Sequence, residues 1–254
     1  MLPRLASALR ERACYRADVD IFPQTWSALC AAVAALPDEA FDEPSGCRGW
    51  RVRDLVSHLI IDAQDLLITL STPADTAPSH DALSYWTPSP IPPDGTAPGD
   101  ALTVRLAAAY EDPALLRAHL DDLGAAAGRA ALLAHPELPV ATQGKTLTVR
   151  DFLGAYVLEA ALHHLDLVAH LPSVHLAPDS FPPDSLPVVD LPPPESLAAA
   201  REMVERRLRV RLPTAWTDAD ALRVATGRRP ATAEERAELD ALGARGQMLP
   251  LSFG

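Results

Sequence analysis

Residues 157–170 read VLEAALHHLDLVAH. Helical residues advance ~100° each, so Glu159, His163, Asp166 and His170 fall in one stripe roughly 60° wide. His164 lies ~100° from His163 and is off that stripe. Nearly every other position is Ala, Leu or Val. A surface helix has a broad polar side and a narrower apolar one; here the proportions are reversed. Such a helix is expected to be mostly buried, with its polar stripe facing an internal site, because buried charges need partners or a metal. The competing reading is a solvated face or a structural hydrogen-bond network. Glu-x-x-x-His spacing alone is common by chance.

Working outward, a second helix carries a related pattern. In RVRDLVSHLIIDAQDLL (residues 51–67), Asp54, His58, Asp62 and Asp65 share a face, while Arg53, Ser57 and Gln64 cluster beside it and are expected to meet water. His58 alone reads equally as a surface or core histidine. Paired with the Glu159 stripe, it reads as a ligand. Two imidazoles and one carboxylate, His58, His163 and Glu159, make a three-ligand set that suits zinc and leaves a position open. Nickel, iron and cobalt are compatible by ligand type. The open position could hold water or a thiol, whose pKa the metal would lower. Asp62 or Asp166 could orient a ligand histidine through its second nitrogen, or simply be exposed.

Two proline-rich stretches, about 71–100 and 171–196, read as loops, since proline lacks an amide proton and breaks helices. Before the first lie helices expected at 23–35 and 52–70, joined by a turn over Gly46–Trp50. Between the two, Asp100 is expected to cap a helix that runs to about 134 with a break near Pro113. Thr148 is expected to cap a long helix from Val149 to about His170. Four helices of this length suggest an antiparallel bundle. After Ser196, a helix is expected at 197–208, another after a Thr217 cap, and a third opened by a Thr232–Glu235 capping box. RVRL (209–212) and LPLSF (249–253) read as short strands. The expected organisation is a helical bundle with the metal site at 1–171, a linker at 172–196 and a small C-terminal domain at 197–254. Val52-Arg53-Asp54-Leu55 echoes Val149-Arg150-Asp151-Phe152, too briefly to be a repeat.

The formal net charge is -12, with 22 Lys+Arg against 34 Asp+Glu. Lys145 is the only lysine. Nucleic-acid binding normally needs a basic patch, and nothing larger than Arg206, Arg207, Arg209 and Arg211 is present. Cys14, Cys30 and Cys47 are an odd, sparse set, as expected of reduced thiols in the cytoplasm. No apolar run reaches the ~18 residues of a membrane span. The N-terminal MLPRLASALRERA carries charges where a signal peptide needs an apolar stretch.

SGCRGWRVRDLVSHL (45–59) and LEAALHHLDLVAHL (158–171) resemble the two metal-binding signatures of the mycothiol-dependent maleylpyruvate isomerases, within the DinB-like superfamily. The resemblance covers roughly residues 20–171. It implies a mainly α, DinB-like four-helix bundle followed here by a small, mostly helical C-terminal segment, with a divalent metal, usually zinc, held by His58, Glu159 and His163. It also implies mycothiol as co-substrate and a small electrophilic substrate, with the thiolate attacking an electrophilic carbon to give cis-trans isomerisation or S-transfer. Family members carry an arginine from a C-terminal α/β domain. Here that part reads as mostly helical, and Arg223, Arg228 and Arg229 are the candidates. The alternatives are a metal-dependent hydrolase or cyclase, and a non-enzymatic metal-binding sensor whose ion is closed off by a fourth protein ligand, for which Cys47 is the residue to examine. Tyr85 and Trp86 are candidates for a pocket entrance. Trp50 reads as packing, and His80, His119, His135 and His175 as surface histidines. The chain is expected to be a monomer or homodimer.

Overall fold

The computed structural model describes residues 21–88, 95–170 and 190–253. Cys14, His175 and most of the second proline-rich stretch lie outside them. The described helices are α1 (21–34), α2 (Val52–Leu70), α3 (Pro98–Ala108), α4 (Pro113–Leu133), α5 (Val149–Leu167), α6 (Pro194–Leu208), α7 (Asp218–Ala225) and α8 (Ala233–Ala241). The chain is mainly α, as its periodicity predicts. Among the described residues no helix is long and apolar enough to cross a membrane.

One face of the bundle's interior is built by Phe22, Trp26 and Leu29 of α1, Leu55, Leu59 and Leu66 of α2, Leu116 and Leu120 of α4, and Phe152 and Tyr156 of α5. The Trp26 indole donates to the Gly124 carbonyl at 2.9 Å, which ties α1 to α4. A second apolar cluster forms on the other side of α5, where Leu158, Leu162 and Leu165 meet Leu197 and Val204 of α6, Leu222 of α7 and Leu239 of α8. From Ala155 through Leu167 every residue of α5 is buried. An almost wholly apolar helix is satisfied only when covered all round, and here the bundle covers one side and the C-terminal helices the other.

Local chemistry accounts for the boundaries. At the start of α2 the Asp54 carboxylate accepts from the Arg51 amide at 2.8 Å. Thr148 accepts from the Asp151 amide at 3.0 Å at the start of α5, and the Thr232–Glu235 capping box opens α8. Asp100 does not cap its helix. Pro98 is the first residue of α3 and Asp100 follows inside the first turn, because a proline's fixed φ suits that first position. The same preference starts α4 at Pro113, with Asp112 as its cap, and starts α6 at Pro194, three residues before the expected Leu197.

Three expectations about strands and helix ends are corrected. RVRL and LPLSF form no strand; Arg209 instead ends α6 in a left-handed conformation. Among the described residues the strands are Pro139–Thr142 (β1) and Lys145–Thr148 (β2), an antiparallel hairpin pairing Val140 with Leu147. Its two-residue turn has Gln143 at φ 48 and Gly144 at φ 75, the positive values a twisted hairpin requires. Finally, α5 ends at Leu167, so His170 leaves the stripe and is exposed.

Since α5 is core to both apolar clusters, Leu162→Ala is expected to cost about 2–5 kcal/mol. Denaturant unfolding followed by near- and far-UV circular dichroism should remain one coincident transition. Separate transitions would mean that the clusters fold independently.

Candidate functional site

The polar stripe of α5 faces α2. His163 Nε2 lies 2.9 Å from Glu159 Oε1, and His58 Nε2 lies 3.5 Å from that same oxygen. Asp62 Oδ2 is 3.5 Å from His58 Nε2. One ligand atom from each of His58, Asp62, Glu159 and His163 can be chosen so that all lie within 4.8 Å of one another. Glu159, His163 and Asp62 are buried, and His58 keeps its side chain 23% exposed. The Trp50 ring packs on the His58 imidazole at 5.3 Å between centroids. The fold therefore brings together the three residues that the sequence singles out, and adds Asp62 beside them.

Two buried atoms in this cluster, His58 Nε2 and Asp62 Oδ2, have no hydrogen-bond partner. Leaving a buried polar atom unsatisfied costs about 1–3 kcal/mol. Two such atoms facing each other across 3.5 Å mark a place where a cation fits. Two imidazoles and two carboxylates are a donor set suited to zinc, and compatible with nickel, iron or cobalt. The cluster could hold a divalent metal.

The other edge of His163 is held from behind. Its Nδ1 lies 3.2 Å from Asp166 Oδ2. Arg228 donates to both oxygens of Asp166, through Nε at 2.9 Å and Nη2 at 2.8 Å. The Cys47 thiol donates to Asp166 at 3.3 Å and lies 3.7 Å from His163 Nδ1. Cys47 is thus on the far side of the His163 ring from Glu159, and does not supply a donor to the four-residue cluster. Cys47, His163 and Asp166 form a second group of potential ligand atoms, but the guanidinium already occupying Asp166 would repel a second cation there.

These contacts set the charges. Burial alone would raise the Glu159 carboxyl, but the charge and hydrogen bond of His163 and the proximity of His58 outweigh it and hold Glu159 well below the usual carboxylate range. Burial alone would lower His163, yet Glu159, Cys47 and Asp166 together raise it well above the ordinary histidine value. Asp166 follows the Glu159 pattern: burial is overcome by Arg228 and His163, and its pKa falls to about 2. Asp62 has weaker support, so desolvation wins and pushes it up to about 6. Burial, then the nearby Asp166 charge, push the Cys47 thiol up.

The turn before α2 docks directly on the end of α5. The Gly46 amide donates to the Asp166 carbonyl at 2.8 Å. A Cβ at Gly46 would lie 2.7 Å from Asp166 Cα, so only glycine permits this approach. A pocket opens here, walled by Cys47, Arg48, Trp50, Asp166, Arg228 and Phe253 among others. The C-terminal helical segment therefore completes the wall. Of the three arginine candidates, Arg228 reaches the site; Arg223 approaches Asp220, and Arg229 pairs with Glu235 and Asp220. Gly227, at φ 77 just past α7, turns the chain so that Arg228 can reach inward.

Several expectations change. Asp62 does not orient His58 through its second nitrogen, since it faces Nε2 on the same side as Glu159. Ser57 is buried, not solvated. Tyr85 is fully buried against Phe152 and Tyr156 and lines no entrance, while Trp86 donates to the Ala155 carbonyl. His119 pairs with the Tyr110 hydroxyl.

The family model described as the mycothiol maleylpyruvate isomerase N-terminal domain matches residues 22–168. The chain belongs to this family. No curated protein and no solved structure matches it. The family points to a mycothiol-related, isomerase-like activity. Its matched span holds Cys47, His58, Asp62, Glu159, His163 and Asp166, whereas Arg228 comes from beyond it.

Asp166→Asn is expected to leave Arg228 as a buried unpaired charge and to cost about 3–5 kcal/mol. Because the Asp166 pKa is depressed in the folded chain, its stabilisation is fully present above the ordinary aspartate value of about 3.9 and lost as pH falls through about 2. Denaturant midpoints measured from pH 7 to pH 2 should therefore fall more steeply for the wild type than for D166N. Gly46→Ala should lower the melting temperature and shift the Trp50 fluorescence, because the turn must withdraw from α5. Unchanged melting and fluorescence would refute the close approach.

Proposed function

We propose that the protein is a metal-dependent enzyme that activates a low-molecular-weight thiol, mycothiol by family analogy, for cis-trans isomerisation or S-transfer on a small electrophile. The observation that carries this reading is the His58–Asp62–Glu159–His163 cluster, buried but for part of His58, with unpartnered polar atoms on His58 and Asp62. His58, Glu159 and His163 are the proposed ligands, and zinc is the metal that the donor set suits best. A metal held there would supply a Lewis acid that lowers the pKa of a thiol and so would provide a nucleophile at neutral pH.

The chain's own groups do the rest. With a metal bound, Asp166 would accept from His163 Nδ1–H, fix the tautomer and leave the Nε2 lone pair on the side of Glu159 and His58. Arg228 keeps Asp166 ionised, so this orientation does not depend on pH in the neutral range. Trp50, packed on His58, limits how far that ring can turn. The pocket beside Cys47 and Arg228 is the proposed seat of thiol and substrate. Asp166 takes two of the Arg228 nitrogens, which leaves Arg48 as the cation on that wall that can meet an anionic group on either reactant. Phe253 gives that wall an apolar part.

The assay is zinc-loaded protein with maleylpyruvate or an electrophilic aryl halide, with and without mycothiol. Turnover that requires both metal and thiol, and that is abolished in His58→Ala and Glu159→Ala, is the expected result. Metal-dependent turnover without any thiol would instead favour the hydrolase or cyclase reading. A folded wild type that takes up no metal would defeat the metalloenzyme reading.

A further inference from the structure

We infer that Asp62 is a fourth protein ligand, so that the site grips its ion with two imidazoles and two carboxylates. This rests on the metal-site reading above and adds to its three ligands one that the sequence motif does not include; zinc can expand to five-coordinate, so four protein donors still leave a position for a thiol.

Three observations carry it. The first is position. Asp62 Oδ2 is 3.5 Å from His58 Nε2, the same nitrogen that faces Glu159 at 3.5 Å, while Glu159 lies 2.9 Å from His163. Donors ~2.0–2.1 Å from a tetrahedral ion stand roughly 3.3–3.4 Å apart. The observed separations bracket that value. A carboxylate that served only to orient His58 would face Nδ1, as Asp166 does at His163.

The second is the lack of any competing partner. Asp166 is claimed by Arg228, and Asp65 accepts from the Tyr156 hydroxyl at 2.8 Å and from Gln143 at 3.1 Å. Asp62 Oδ2, also buried, accepts from nothing, and the His58 Nε2 opposite it likewise has no hydrogen-bond partner. One ion would satisfy both atoms at once.

The third is how the donors are supplied. His58 and Asp62 are four apart on α2, and Glu159 and His163 are four apart on α5. Each helix thus offers one imidazole and one carboxylate from successive turns of a single face. Four donors fixed on two packed helices need little reorganisation to meet an ion.

The test uses the full chain, stripped with a chelator and reloaded with Zn(II) or Co(II), as wild type, Asp62→Asn, Asp62→Cys and Asp166→Asn. Competition with a chromophoric chelator should show D62N binding zinc more weakly by more than the ~10–100-fold that loss of an outer partner costs. D166N should stay within that range. The Co(II) visible bands should change in D62N and keep their pattern in D166N. D62C should gain a near-UV thiolate-to-cobalt band absent from the wild type, which reports directly that position 62 reaches the ion. Circular dichroism checks that each variant is folded, and if D62N does not fold, D62C carries the test. Wild-type affinity and an unchanged cobalt spectrum in D62N, or no new band in D62C, would overturn the assignment while leaving the three-ligand site standing. A wild type that binds neither metal would overturn both.

Discussion

The structure turns on the burial of a charged stripe inside an apolar helix. Glu159, His163 and Asp166 sit in the C-terminal half of α5, where every residue of the helix is buried. A buried charge is tolerated only with partners close by. Each of these groups has them: Glu159 has His163 and His58, His163 has Asp166, and Asp166 has Arg228. The chain of contacts runs from the face of α2 through α5 to the residue after α7. It therefore fixes the distance between the bundle and the C-terminal helices as well as the shape of the site.

That dependence explains details far from the chemistry. Gly46 must be a glycine because the turn before α2 lies against the backbone of Asp166. The C-terminal helices, which the family match does not include, are not an accessory cover. They bury the outward side of α5 at Leu158, Leu162 and Leu165, and through Arg228 they supply the countercharge without which Asp166 could not stay ionised in the interior. Stability and site geometry rest on the same residues here, so substitutions in the stripe act on both.

The two edges of His163 divide the site into a binding side and a supporting side. On the Nε2 edge lie donors with unfilled capacity. On the Nδ1 edge lie a saturated carboxylate, a guanidinium and the Cys47 thiol. The pocket beside Cys47 and Arg228 is lined by Arg48 and Arg228 together with Asp100 and Asp166.

Much was legible in the sequence, for a physical reason. Helical periodicity is local, so the reversed proportion of polar and apolar residues in residues 157–170 was enough to mark a buried helix with an inward stripe, and the spacing of His58 and of the Glu159–His163 pair was enough to name the residues that meet. Caps at Thr148 and Thr232 were readable for the same reason. The hairpin at residues 139–148 had a local signal too, two β-branched runs around Gln143–Gly144, but the helical reading of its surroundings masked it. What only the tertiary structure decided depends on distance in space and not along the chain. Nothing local tells that Arg228, and not Arg223 or Arg229, reaches Asp166 across 62 residues. Nor does anything local tell that Cys47 falls behind His163, or that Asp62 faces the nitrogen of His58 that looks toward Glu159. Those outcomes follow from how α2, α5 and the turn after α7 pack together, and packing is a property of the whole fold.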